Sequence, residues 1–355
     1  MAKTGTTPLH TQPIVNEILT TAIERERERE IVTRRYGLFD RKETLEQIGE
    51  LLGITRERVR QLEKSVMTRL RVSAEQGNVP HITEVQDRLS AELEELGGAA
   101  RISELASKVV AENTRDEQSR LSFVAYLCPE LTVVNEDNDF YQGVALKSLY
   151  DEKQLKKTVG KLIDAIKANG DIMDAKTLAE KAGIKDAKQA QALASLSKKL
   201  ATLNGMWGLV KWPMVNPKNI RDKIYVILHQ QGKHMHFNDI ADAIKKSEFK
   251  RKDVTTQAIH NELIKDPRFV LIGRGIYALK EWGYERGTVA DIITEVLKEA
   301  GEPLHRDEIV KRVLKTRYVK ETTVLLNLQG KPQFKRVAKA TYTIAEPAEA
   351  SSSKK

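Results

Sequence analysis

The sequence predicts a mainly α protein, a tandem array of one helix-turn-helix and four winged-helix-like units with short β-wings. Two helical patterns joined at one glycine, over 43–71, predict the helix-turn-helix. A helix–helix–helix–hairpin order that recurs four times over 84–344 predicts the winged units. Charge is the third observation. The 355 residues carry 59 Lys and Arg against 50 Asp and Glu, a net +9, yet 1–75 stands at +2, 76–150 at −7 and 151–355 at +14. Solubility needs no such separation. A basic C-terminal half points to nucleic acid, and an acidic middle to a protein contact or a spacer.

The first unit is read from its spacing. Leu45, Ile48, Leu51 and Leu52 recur as the apolar stripe of an amphipathic helix. Gly53 ends it, because a sharp turn needs the left-handed conformation that glycine tolerates. Thr55 caps a second helix whose buried side is Val59, Leu62, Val66 and Leu70. Its other faces carry Arg56, Glu57, Arg58, Arg60, Gln61 and Lys64. Major-groove readout needs a forked donor for guanine, an acceptor for the cytosine amino group, and an amide or alkyl contact for A·T pairs. Arg56, Glu57 and Gln61 supply that set within two turns of the helix start. Arg60 and Lys64 lie where cations meet phosphates and fix register without reading sequence.

The stretch GLFDRKETLEQIGELLGITRERVRQLEKSVMTRLR, with the preceding helix from about residue 15, resembles region 4 of sigma-70 family sigma factors, the module that reads the −35 promoter element. TLEQIGELLGITRERVRQLE is the specific part. The resemblance implies Arg56, Glu57 and Gln61 as base readers. It places Thr44 and Leu45 where backbone amides approach phosphate, and Arg27 and Arg35 where arginines of the upstream helix contact the DNA backbone. The structural alternative for Arg27 is a solvated helix surface, since it sits in the alternating RERERERE run. The resemblance also implies docking on the flap of the polymerase β subunit through an apolar surface over 15–38. Complete sigma factors place an aromatic-rich melting domain before region 4. Only about forty residues precede the motif here and no aromatic cluster lies before residue 43, so the chain is not expected to open a promoter alone.

Repetition accounts for the remaining length. Residues 220–279 and 289–344 both run helix, glycine turn, H-x-x-[DE]-I into a second helix, a TT-containing start to a third, and a basic hairpin. Looser copies occupy 84–146 and 155–212. The expected units are 1–77, 78–150 (acidic), 151–214 (basic), 215–286 and 287–345, with a disordered tail over 346–355. Linkers are expected at 78–80, 148–152, 213–217 and 284–287, most of them marked by proline or glycine. The copy over 217–284 resembles the HARE-HTH winged helix, found in the delta subunit of some bacterial RNA polymerases and in chromatin and restriction proteins. Its hallmarks here are an apolar second helix, D-P-R-F before the wing, and the closing GIYALKEW. The tail, EPAEASSSKK, departs from the long acidic stretch of delta, so displacement of nucleic acid by such a tail is not implied.

Other constellations have plain structural readings. His229, His234 and His236 form an H-x-H cluster with neither cysteine nor an acid pair nearby, so no metal is expected. Asp174–Lys176 and Asp186–Lys188 have D-x-K spacing, but in helical pattern and without a P-D partner. Neither a Walker loop, a dinucleotide fingerprint nor a nucleophile elbow is present, and no catalysis, small-molecule substrate or cofactor is expected. Trp207, Trp212 and Trp282 either stack bases or anchor small cores at the wing ends; anchoring is the expected role. The KRK at 250–252 either touches phosphate or faces water. The single Cys128 excludes an intrachain disulfide and suits a reducing cytoplasm. No apolar run of about 18 residues and no signal peptide is seen, so neither a membrane nor export is expected. The expectation is a cytoplasmic, nucleoid-associated transcription regulator that binds double-stranded −35-like DNA and acts with RNA polymerase core. The alternative is a delta-like polymerase accessory protein that works through protein contacts.

Overall fold

The computed structural model describes residues 8–249, 253–284 and 287–345. The chain divides after Val215 into units 1–215 and 216–355. The first carries 32 basic and 32 acidic residues and the second 27 and 18, so the whole net charge belongs to the second.

Unit 1–215 opens with α1 (Thr11–Ala22), α2 (Glu26–Tyr36), α3 (Leu45–Leu52) and α4 (Arg56–Glu75). A winged unit follows: α5 (Ile82–Leu96), β1 (Ala99–Arg101), α6 (Ile102–Val109), α7 (Arg115–Leu127), β2 (Leu131–Val134) and β3 (Gly143–Leu146). The next has α8 (Glu152–Asn169), β4 (Met173–Asp174), α9 (Ala175–Ala182), α10 (Ala187–Ser195), β5 (Leu200–Leu203) and β6 (Met206–Leu209). Unit 216–355 holds two more. The first is α11 (Ile220–Gln231), β7 (Met235–His236), α12 (Phe237–Lys246), α13 (Thr256–Lys265), β8 (Phe269–Gly273) and β9 (Ile276–Leu279). The second is α14 (Val289–Ala300), β10 (Leu304–His305), α15 (Arg306–Thr316), α16 (Glu321–Gly330), β11 (Phe334–Ala338) and β12 (Thr341–Ile344). The mainly α, winged-helix-like architecture is therefore present in all four copies.

Every copy closes with the same sheet. Its last strand lies in the middle, antiparallel to the wing strand before it and to a short strand that precedes the second helix. The hairpin of β5 and β6 turns at Asn204-Gly205, both at positive φ (49° and 76°), the conformation that matches the twist of the flanking strands. In the third copy the D-P-R-F turn is an electrostatic lock. Asp266 is buried and accepts from the Arg268 backbone N–H at 2.9 Å and from its guanidinium at 2.8 Å, while Arg268 also reaches Asp222 on α11 at 3.3 Å.

The cores ignore the repeat boundaries in unit 1–215. One continuous core takes in α1, α2, the C-terminal half of α4 and the first winged unit, from Leu9 to Leu146. A second gathers Val134, Phe140 and Ala145 of the first winged unit with α8, α9 and α10. Backbone bonds tie the same seam: Tyr141 N–H donates to Leu196 O at 2.9 Å and Lys198 N–H to Asp139 O at 2.8 Å. Val79, inside the expected first linker, and Ile82, just after it, are buried. The repeats thus recur as folds, but the first three modules share cores rather than hang as separate beads. Of the expected linkers, 213–217 coincides with the division between the units. Glu285 and Arg286, within the last one, and the tail over 346–355 lie outside the described residues.

Candidate nucleic-acid interface

Local chemistry builds the helix-turn-helix. Thr44 caps α3 through a reciprocal box: its Oγ1 accepts from Gln47 N–H at 3.3 Å, and Gln47 Oε1 accepts from Thr44 N–H at 2.9 Å. Gly53 ends α3 at φ 64°, and Thr55 Oγ1 then accepts from Arg58 N–H at 3.2 Å to start α4. Close packing requires a second glycine, Gly49, where a Cβ would stand 2.7 Å from the Ile54 carbonyl oxygen. Ile31, Ile48 and Val59 form a small fully buried core, with Leu45, Leu52, Ile54 and Leu62 around it. Leu51, expected on the buried stripe, is instead 54% exposed. The stripe is only as wide as the helix facing it, and a three-residue core covers one face of a two-turn helix.

The expected base readers come together on the free side of the first turns of α4. The Arg56 guanidinium donates to Glu46 Oε1 on α3 at 2.7 Å. Glu57 accepts a two-pronged pair from Arg60 at 2.6 and 2.8 Å, and Gln61 Nε2 lies 3.4 Å from Glu57 Oε1. The Arg60 hydrogen bonds hold the Glu57 carboxyl below the usual carboxylate range, and Glu57 in turn raises Arg60. All of these pairs are in water, so exchanging them for base and phosphate contacts costs little. Lys64 is exposed two turns further on.

The upstream arginines are partly occupied. Arg27 Nη2 donates to the Leu52 carbonyl at 2.6 Å, satisfying an orphan acceptor at the C-terminal end of α3. Arg35 Nη1 donates to the Glu43 carbonyl at 3.3 Å, and its Nε lies 3.4 Å from Glu63 Oε1. Burial raises the Glu63 carboxyl, with Arg35 opposing the shift. Both arginines therefore brace the motif. Thr44 sits at the exposed start of α3, with half-buried Leu45 following.

Two residues, Glu46 and Glu28, escaped the sequence reading, and a third, Arg58, was placed on the exposed face without a role. Arg58 is exposed beside the readers and reaches Gln61 Oε1 at 3.4 Å. Glu46 holds Arg56, a pairing across a turn that no helical periodicity signals. Glu28, in the run expected as a solvated surface, is only 4% exposed and pairs with Arg69 of α4 and with Arg25 at 3.7 Å. Alternating charge does not reveal which carboxylate turns inward.

The apolar surface expected over 15–38 is covered by the chain itself. Val15, Ile18, Leu19, Ile23, Val32 and Leu38 are buried with residues of α7. Thr11 Oγ1 donates to Glu117, Arg120 Nε donates to the Leu38 carbonyl at 2.7 Å, and the Tyr36 ring meets Phe123 edge-on at 5.4 Å. What remains open nearby is a polar groove of about 610 Å³ between α1, α2 and the loop that carries half-exposed Phe39.

The other singled-out residues have structural places. Asp174 and Asp186 cap α9 and α10. His236 caps α12, accepting from Asn238 N–H at 3.3 Å, and His234 lies against Tyr318 at 4.5 Å between ring centres. Trp207, Trp212 and Trp282 pack into or against small cores. Lys250, Arg251 and Lys252 lie outside the described residues.

A capped helix-turn-helix with an exposed, mixed-sign first turn defines the class. Comparison with known proteins places it: residues 25–72 match the family Sigma-70, region 4. Over 46 residues, 13% of this chain, it is 52% identical to the RNA polymerase sigma factor SigA1 of Synechococcus elongatus, 50% to SigA of Microcystis aeruginosa and 46% to sigB of Arabidopsis thaliana. The matched part spans 12%, 11% and 8% of those relatives.

Proposed function

We propose that this protein is a DNA-binding transcription regulator that recognises −35-like promoter DNA through residues 25–72 and acts with bacterial RNA polymerase. One observation carries the reading. Arg56, Glu57 and Gln61, a donor, an acceptor and an amide, stand exposed and adjacent at the start of α4 inside a region 4-like segment. In this reading those three read bases. Arg60 and Lys64, with Arg27, Arg35 and the backbone at Thr44 and Leu45, hold phosphate. The reading includes no catalytic step, metal or cofactor, and it assigns a cytoplasmic, nucleoid-associated location.

The test is binding of the full chain to matched and scrambled duplexes. Wild type should prefer a TTGACA-like hexamer, and Arg56→Ala and Gln61→Ala should each lose about 1–3 kcal/mol of that discrimination. Equal affinity of wild type for both duplexes would reject the proposal. A second reading, a delta-like polymerase accessory protein, is favoured by the resemblance of 217–284 to the HARE-HTH winged helix. A flap contact would have to use the groove beside Phe39, because the apolar residues of 15–38 are buried. Nuclease-treated pull-down combined with the duplex titration separates the two: core polymerase retained without DNA by a chain that shows no preference for the matched duplex favours the accessory reading.

A further inference from the structure

The last winged unit carries a cleft of about 540 Å³ between α15 and α16. Its apolar lining is Val310, Leu314 and Leu325. Leu314 is 37% exposed, and Leu326, the next residue on α16, is 68% exposed. Arg306 is paired with Asp307 at 3.1 Å, and Arg312 with Glu308 at 2.7 Å. Lys311 and Lys315, one turn apart on the rim, form no ion pair among the described residues. With Asp307 held by Arg306, the lining charges left over are Lys311 and Lys315 along α15 and Glu321 at the start of α16, so the cleft is apolar at its base, cationic along its α15 edge and acidic at one end.

DNA is a poor occupant. The exposed positions of α16 are Glu321, Thr322, Leu326, Gln329 and Gly330, with Leu325 half-buried against the core. Helix α16 itself carries no Lys or Arg to meet phosphate, and a leucine can meet only a thymine methyl among base edges. Burying leucines against another apolar face is favourable instead, at about 25 cal/mol per Å² removed from water. We propose that this cleft docks an acidic amphipathic helix of a partner protein, with leucine-like side chains in the floor and carboxylates over Lys311 and Lys315. Helices lie in such grooves through residues at i, i+4 and i+7, and the rim charges select the sign of the partner. The site belongs to the second unit and does not depend on the proposed reading of DNA by α4.

The probe is a fluorescein-labelled synthetic helix of about four turns, with leucines along one face and glutamates flanking them. Anisotropy with the full chain should show saturable binding. Lys311→Glu with Lys315→Glu, and separately Leu314→Asp, should each weaken it about tenfold or more. All three positions are on the surface, and circular dichroism should leave the fold unchanged. The double charge reversal should gain affinity for a probe with lysines in place of the glutamates. Unchanged probe binding in both variants overturns the proposal. So does loss of duplex DNA affinity in the variants while probe binding persists.

Discussion

Removing the Arg69 guanidinium would leave Glu28 a buried carboxylate with only Arg25 nearby, at 3.7 Å. Such a group keeps its desolvation cost after losing its partner, so Arg69→Ala should destabilise unit 1–215 by about 1–3 kcal/mol in urea melts. Arg69 is itself more than half exposed, which keeps the cost below that of a fully buried pair. An unchanged urea midpoint would reject Glu28–Arg69 as a tie between α2 and α4. Cys128 makes a second residue-scale prediction. Burial pushes its thiol up to about 12, so at pH 8 it should react with a thiol reagent only as fast as the protein opens. The native state holds a proton that the unfolded chain releases above its ordinary value of 9.0, so stability from this group falls as pH rises between 9.0 and about 12. Prompt labelling of the native protein would contradict this. The exposed grouping of Arg56, Glu57 and Gln61 was legible in the sequence because chemistry and spacing coincide on one turn. Glu28 was not, because burial depends on the helix opposite.

At the scale of elements, the approach of α3 to the turn rests on Gly49. Gly49→Ala sets a methyl 2.7 Å from the Ile54 carbonyl oxygen, against backbone that cannot swing aside. The expected cost is about 1–3 kcal/mol, with weakened DNA binding, because α4 must shift. Thr44→Ala should cost only about 1 kcal/mol by removing half of the capping box, with α4 left in place. Thermal melts and duplex titration together would expose the error if Gly49→Ala proved the milder change. Helices and wings were legible because caps, glycines and alternating apolar residues mark them locally. The short strands β4, β7 and β10 were not. Two residues are too few for a period, and each is defined only by its pairing with a strand more than thirty residues later.

For the whole molecule, cleavage should come first near 213–217 and release 1–215 as a resistant piece, since the cores run unbroken across 78–80 and 148–152. First cuts at 76–82 would show that those shared cores open readily. The same boundary fixes the meaningful truncation: stopping at 150 would strip the partners of Phe140 and Ala145, whereas stopping at 215 does not. Because 1–215 is electrically balanced, it should bind DNA with a shallower salt dependence than the full chain, by about 0.9 log units per tenfold salt for each phosphate the second unit neutralises. Parallel slopes would exclude 216–355 from the DNA. Sequence repetition revealed the modules but not their fusion, because a seam between repeats leaves no periodic trace.

Helix α4 belongs to two cores at once, Val59 in the small one and Val66, Met67, Leu70 and Ala74 in the large one. If α4 reads DNA as proposed, it is mechanically a lever with its fulcrum in the winged body and its working tip at the bases. A tilt of about 5° over a rod of ~30 Å carries the tip roughly 2–3 Å. Hydrogen bonds to a base edge hold over only about 0.5 Å of donor–acceptor distance. On that proposal, whatever re-seats α7 beneath the far end of that rod changes which sequence is read, without itself approaching the DNA.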